Sequence, residues 1–283
     1  MTDKDLLFAD TETDGLWKQG FGPRDPEQPR PVQIAFARHV PHGQEITASS
    51  ILVSRADHWR ELTEESISIH GITEETRQTG IKPVEAGTAL LKAMEAATDT
   101  YSFVTLAGHN VGFDIAVLAS FYYDIGMPEV ASGILEIRTV DTMYMGVDVC
   151  KLPHREPGKP GFKRPSLTEL HRHLFGEDFD GAHDALVDVR ASARCYYKMR
   201  EMGVPDAPAQ FPRFDGGRDP EQVRSVIERC RVAPYESRKE ADFVRDYSER
   251  YNRYGDRFLC SDKVWSWLSR IAARVARTGA APV

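Results

Sequence analysis

Asp10 and Glu12 are separated by one residue at the end of a strand-like run, Leu6 to Ala9. Alternation along a strand turns both carboxylates to one face, with their Cα atoms about 7 Å apart. Like charges held that close repel, and a divalent cation between them is the usual remedy. The pair also reads as two solvated acids on an open edge strand. A second segment, AGHNVGFD at residues 107–114, runs from a strand end through His109 and Asn110 to Asp114, which opens a helix. Taken alone, Asp114 also reads as an ordinary helix cap. In a third segment, GAHDALVDV at residues 181–189, His183 lies five positions before Asp188. Five helical residues turn the direction by about 140°. If Asp188 faces a metal from within the helix, His183 belongs in or near the loop leading into it, as a mobile imidazole over the site. The plainer alternative is a cap or surface histidine.

These side chains need elements to position them. Leu6–Ala9, Val32–Val40 and Ile51–Val53 read as strands, with a Gly/Pro-rich loop at Gly20–Pro31 and a turn at Pro41–Gly43. They suggest a meander that is antiparallel at least locally. Pro83–Thr98 has the apolar spacing of a helix, Phe103–Ala107 is a buried-type strand, and a helix runs from about Asp114 to Tyr123. Ser166 and Glu169 form a capping-box pattern ahead of a helix that ends at Gly176, and Ala182–Met199 is a long helix. Strands first in a meander and then alternating with helices give an α/β fold, a mixed sheet flanked by helices.

Composition adds limits. The 283 residues are 41% apolar and 28% charged with a net charge of −7, which suits a globular protein and not a bulk nucleic-acid coat. No apolar run is long enough to span a membrane, and the acidic N-terminus is unlike a signal peptide. Cys150, Cys195, Cys230 and Cys260 are widely spaced, which argues against a zinc knuckle or disulfide framework and for a reducing, cytoplasmic setting. Residues 204–283 carry 15 Lys and Arg against 12 Asp and Glu, leaving −10 on residues 1–203. A linker-like stretch at 203–208 separates residues 1–203 from an extension, 204–283, read as three helices: Asp219–Val232, Ser237–Tyr254 and Ser261–Arg277.

In order, DxE at a strand end, HNxxFD at a strand-to-helix junction and HxxxxD entering a long helix resemble the DEDDh branch of the DnaQ-like 3′→5′ exonucleases. That superfamily includes the proofreading epsilon subunit of bacterial DNA polymerase III, RNase T and oligoribonuclease. FADTETDGL (8–16), AGHNVGFD (107–114) and AHDALVD (182–188) are similar to its three motifs, and SISIHGIT (66–73) and PSLTELHRHLFG (165–176) to segments between them. His183 selects the histidine branch over the tyrosine one.

The resemblance implies an RNase H-like exonuclease domain in residues 1–203, with a helical C-terminal extension outside the family pattern. It implies that Asp10, Glu12, Asp114 and Asp188 bind two Mg²⁺ or Mn²⁺ ions, and oxygen donors without a thiolate suit such hard ions. His183 would be the general base for the attacking water. The activity implied is stepwise hydrolysis from the 3′ end of single-stranded nucleic acid, DNA in preference to RNA, releasing nucleoside 5′-monophosphates. Thr13, Gly15 and Leu16 would hold the terminal nucleotide, with Phe113 as a stacking ring and His70 and Asn110 lining the cleft. Leu16 and Phe113 also read as core residues. The alternative function is a catalytically idle module that binds nucleic acid or a polymerase.

Two features depart from the pattern. Trp17–Pro31 is long where relatives turn quickly, and Lys151, Arg155, Lys159, Lys163 and Arg164 form a basic loop that either grips phosphates or is simply solvated. In the extension, Val244, Tyr247, Tyr251 and Tyr254 make one helical stripe, and Val264, Leu268, Ile271 and Val275 another. Arg270, Arg274 and Arg277 lie beside Trp265 and Trp267. These stripes read either as packing surfaces or as a surface for single strands or a polymerase or other replication or repair partner.

Overall fold

Leu6, Leu7, Phe8 and Ala9 are all buried because β1 (Leu6–Thr13) is the central strand of its sheet and is covered on both faces. The structure, a computed structural model, describes residues 5–19, 21–41, 43–97, 104–156, 158–211, 220–254 and 262–278. β2 (Pro31–His39) and β3 (Glu45–Leu52) complete an antiparallel meander with β1. Three helices follow: α1 (Glu64–His70), α2 (Glu74–Gln78) and α3 (Pro83–Ala96). β4 (Thr105–Gly108) runs parallel to β1 and leads into α4 (Val111–Asp124) and α5 (Pro128–Leu135). β5 (Arg138–Asp141) is parallel to β4 and is followed by two helical turns, α6 (Thr142–Met145) and α7 (Val147–Cys150). α8 (Leu167–Phe175) and α9 (Ala185–Glu201) come next, then α10 (Pro220–Val232), α11 (Arg238–Tyr254) and α12 (Asp262–Thr278).

Among the described residues the five strands form one mixed sheet in the order β3-β2-β1-β4-β5. Leu7 and Ala9 enter a core with Ile115 and Leu118 of α4 and Leu90 of α3. Leu6 and Phe8 enter a second core with Val189 and Tyr196 of α9 and Leu170 of α8. The expected α/β architecture, a mixed sheet flanked by helices with a helical C-terminal region, is therefore what the chain adopts.

The chain divides into two compact units. The first comprises Met1–Trp17 and Pro26–Pro212, and the second Lys18–Asp25 and Arg213–Val283. In the second unit, Val223, Ile227 and Cys230 of α10, Val244 of α11 and Leu268 and Ile271 of α12 form a common core, against which Tyr247, Tyr251, Val264 and Trp265 pack. Trp267 stands against Phe243, with ring centroids 5.0 Å apart. The side chains of Tyr254, Val275 and Arg277 lie outside the described residues, as do Thr98 and Phe103. No helix is long and apolar enough to cross a membrane among the described residues.

Several boundaries differ from the sequence reading. α4 begins at Val111, so Asp114 lies inside its first turn and does not cap it. α9 begins at Ala185, three residues later than expected, because Asp184 caps it through the Leu186 and Val187 N–H groups. β3 begins at Glu45, six residues before the expected Ile51, and its added residues are mostly exposed and carry no apolar alternation. The sequence reading has no counterpart for α1, α2, α5, β5, α6 or α7. α1 is short and mostly polar, and it is held by a reciprocal Thr63–Ser66 cap and a left-handed Gly71. The basic loop is partly committed, since Lys163 pairs with Glu169 at 2.6 Å and the Arg164 guanidinium lies 5.7 Å from the Tyr144 ring.

Candidate active site

Period-two geometry along β1 sorts the site. Asp10 and Glu12 share the Leu6 and Phe8 face, which looks toward α9, while Thr11 shares the Leu7 and Ala9 face, which looks toward α4. Each helix supplies one acid from its first turn, Asp188 on α9 and Asp114 on α4. Thr11 fixes Asp114 twice: its backbone N–H and its hydroxyl both donate to Asp114 Oδ1, at 2.9 and 2.8 Å.

The entry to α4 is set by Asp141 at the end of β5. Its Oδ1 accepts the Asn110 N–H at 2.9 Å and the Met143 N–H at 2.9 Å. Asn110 takes a left-handed conformation there, one that asparagine tolerates better than most residues. β4 approaches β1 closely at this end, and a Cβ on Gly108 would stand 2.7 Å from the Ala9 carbonyl oxygen. His109 is turned away from the cleft. Its ring bridges Thr142 Oγ1 and the Pro165 carbonyl at 3.0 and 3.1 Å, and burial lowers its pKa to about 4.

His183 lies just before α9 with φ +71°, in the left-handed region. Its backbone N–H donates to Asp188 Oδ2 at 3.1 Å, while Asp188 Oδ1 is buried with no hydrogen-bond partner. The imidazole is brought back over the acids. Glu12, His183 and Asp188 each offer a ligand atom, and these atoms lie within 4.8 Å of one another.

Burial, followed by the neighbouring carboxylates Asp188 and Asp114, pushes Glu12 up to about 8. Burial raises Asp114 to about 7 despite the two Thr11 hydrogen bonds, which favour its charged form. Asp10 is held well above the usual carboxylate range by burial and then by Asp114, Asp188 and Glu12, and burial raises Asp188 as well. So many carboxyl groups facing one another give the site a deficit of positive charge. The donors are carboxylate oxygens with one imidazole, which fits a hard divalent ion, and the unpartnered Asp188 Oδ1 is a free donor for it.

Leu16 is not a core residue: it is 76% exposed, directly before the buried Trp17. Thr13 Oγ1 donates to the Gly15 carbonyl at 2.7 Å, which tightens the turn. Phe113 is half-buried and belongs to neither core, while Asn110 is exposed at the mouth of α4. His70 Nδ1 accepts the Ile72 N–H at 3.0 Å, and its ring lies beside the Thr13 backbone. Burial and then the nearby Arg77 and His183 lower its pKa. Sequence reasoning missed Thr11 and Asp141. The VDT step at 140–142, a strand end followed by a helical turn, was the available signal for Asp141.

No curated protein matches the chain. Among solved structures, the zinc-bound E. coli ExoI–ssDNA complex is 21% identical with a TM-score of 0.51, over 71% of this chain and 41% of that one. E. coli exonuclease I with a dA16 oligonucleotide is 20% identical with a TM-score of 0.52, over 70% and 41%. An ExoI/SSB-Ct complex is 20% identical with a TM-score of 0.52, over 71% and 42%. The aligned part thus spans about two fifths of those proteins, and at this identity the likeness speaks for the fold. The exonuclease family model, RNase_T, matches residues 7–196, which include α4, β1 from Leu7 on and α9 as far as Tyr196, with Asp10, Glu12, Asp114, Asp141 and Asp188. The chain belongs to the exonuclease family.

Proposed function

We propose that the chain is a divalent-metal-dependent 3′→5′ exonuclease that acts on single-stranded DNA in preference to RNA and releases nucleoside 5′-monophosphates. The observation that carries this reading is the meeting of Glu12, His183 and Asp188 within 4.8 Å, from elements more than 170 residues apart, in a chain of the exonuclease family. Asp10, Glu12, Asp114 and Asp188 would hold two Mg²⁺ or Mn²⁺ ions. Such ions, when bound, supply Lewis-acid charge for in-line displacement at phosphorus.

The remaining chemistry belongs to the chain itself. His183 is exposed and free to reach a water beside the acids, and it takes the proton that the water loses as it attacks phosphorus. The 3′-oxygen of the penultimate nucleotide leaves, and the terminal nucleotide departs with its 5′-phosphate. Leu16 and Phe113 present apolar surface to the last bases, with Thr13, Gly15, His70 and Asn110 around the terminal sugar. Stacking of this kind is indifferent to base identity and needs an unpaired end.

The ssDNA and oligonucleotide complexes of the structurally similar ExoI support the substrate class, and the ExoI/SSB-Ct complex supports a protein partner. A polymerase or other replication or repair partner is assigned here to the C-terminal helices. The buried, unpaired Cys150, Cys195 and Cys230 accord with a reducing, cytoplasmic setting.

The test is a product ladder from 5′-labelled DNA and RNA oligonucleotides, single- and double-stranded, with Mg²⁺ or Mn²⁺. Wild type shortens single-stranded DNA from its 3′ end, and Asp10→Ala or His183→Ala abolishes release while the circular-dichroism spectrum is kept. Equal release by wild type and both variants would show the assigned site to be wrong. A wild type that binds DNA without cutting it would make the chain an idle binding module.

A further inference from the structure

Asp14 follows the acid-bearing strand and is buried, at 1% exposure. Its N–H donates to the Arg30 carbonyl at 3.1 Å, and its Oδ1 accepts the Arg30 N–H at 2.9 Å. These bonds continue the β1–β2 pairing past the irregularity between Glu12 and Thr13. The same Oδ1 accepts two more hydrogen bonds from Arg60, Nε at 3.0 Å and Nη2 at 2.9 Å. Arg60 comes from the segment between β3 and α1, and its guanidinium lies across Gly15. A Cβ built on Gly15 would stand 3.6 Å from both Cζ and Nη2.

On the opposite side, Asp14 Oδ2 has no hydrogen-bond partner and lies 4.0 Å from Nη2 of the fully buried Arg77. The Arg77 guanidinium stands 5.6 Å from the Trp59 ring. One carboxylate thus sits between a cation sealed in the interior and a second, about one-third exposed, over the turn. Charge-assisted hydrogen bonds to a buried carboxylate are among the stronger ones in proteins.

The turn is therefore held at Thr13, Asp14 and Gly15, while Leu16 is left in water. Thr13 ties Gly15 from within, Arg60 covers Gly15 from without, Trp17 is buried at 7%, and Leu16 between them is exposed at 76%. An isolated leucine held in water gains nothing for the fold. Fixing it in advance does lower the ordering cost of binding a ligand.

The geometry points to Arg60 as a positioning residue that acts through Asp14 to hold the Thr13–Leu16 turn, so that Leu16 stands ready to enter between the last bases of a single strand. The inference rests on the substrate role given to Leu16 above, and Arg60 itself is assigned no contact with the reacting atoms. Lysine is not equivalent, because a single ammonium lacks the planar fork that both donates to Oδ1 and covers Gly15.

The experiment compares steady-state kinetics on a single-stranded oligodeoxynucleotide and on the p-nitrophenyl ester of thymidine 5′-monophosphate, which has one base and so nothing for a wedge to part. Leu16→Ala and Arg60→Ala are each expected to raise KM for the oligonucleotide about tenfold with a much smaller change in kcat. The double variant is expected to be no worse than either single one, because both remove the same event. Arg60→Lys, which keeps the charge and lessens any damage to folding, raises KM by less.

Additive losses in the double variant would overturn the inference, as would an Arg60→Ala enzyme with wild-type KM, or equal damage on ester and oligonucleotide. A Leu16→Ala enzyme with wild-type KM would remove the wedge itself and the Arg60 role with it. That outcome is separable, because it leaves the metal-site variants of the preceding experiment inactive.

Discussion

Thr11 and Asp114 are 103 residues apart in the chain, yet one oxygen of the Asp114 carboxylate accepts both the backbone N–H and the hydroxyl of Thr11. The acid on α4 is thereby fixed to the strand that carries Asp10 and Glu12, and its second oxygen is left for other use. Thr11→Val keeps the branched shape and the backbone donor but removes the hydroxyl. The expected loss of stability is about 1 kcal/mol, with a fall in kcat of about tenfold, whereas Thr11→Ser stays near wild type. Thermal melts and initial rates on single-stranded DNA check this, and a valine variant with full activity would mean that the hydroxyl is dispensable.

Metal removal has a signed dependence on pH. Glu12 is raised from 4.5 to about 8 by burial and by the acids around it. A carboxyl group whose folded-state pKa is raised contributes stability below its unfolded pKa and loses it as pH climbs through the folded value. In EDTA the melting temperature should therefore fall as pH rises from about 5 to about 8. Millimolar Mg²⁺ should raise the curve most at the alkaline end, because the cation favours the ionised carboxylates. Melts in EDTA and Mg²⁺ that coincide at every pH would contradict the charge deficit described for this site.

Asp141 acts on the site through backbone N–H groups, and its charge also helps to raise Asp114. It accepts the N–H groups of Asn110 and Met143, and burial raises its pKa to about 6. Asp141→Ala leaves both donors without their acceptor next to the first turn of α4. We expect a cost of about 2–3 kcal/mol and a loss of activity that extra Mg²⁺ partly restores, since Asp114 is displaced and not removed. Asp141→Asn retains an Oδ1 acceptor and should lose less. Metal titrations of activity on the two variants separate displacement from unfolding.

How much of this could be read from the sequence depended on whether a residue's role was local. Asp10, Glu12, His183 and Asp188 carry their meaning in spacing, and the structure brings Glu12, His183 and Asp188 together. Helical geometry puts His183 in or near the loop only on the condition that Asp188 faces a metal, and the helix expected from Ala182 would have included it, whereas α9 begins at Ala185. Thr11 carries no such mark: a threonine between two acids becomes informative only once α4 is known to begin at Val111 and to turn Asp114 toward it. Asp141 is likewise silent until β5 is paired in register with β4. α1 and α2 escaped because short polar helices are held by caps and neighbours, which periodicity does not register. Leu16 was ambiguous for a related reason, since only burial tells a wedge from a core side chain.

The left-handed backbone of His183 has a consequence for engineering. A side chain at φ +71° carries conformational strain that glycine largely avoids, worth on the order of 1 kcal/mol. His183→Gly should therefore yield a protein that melts at or above the wild-type temperature and turns over no substrate. Screens that select for heat tolerance alone would drift toward such sterile molecules. The imidazole persists at this position against the preference of its own main chain.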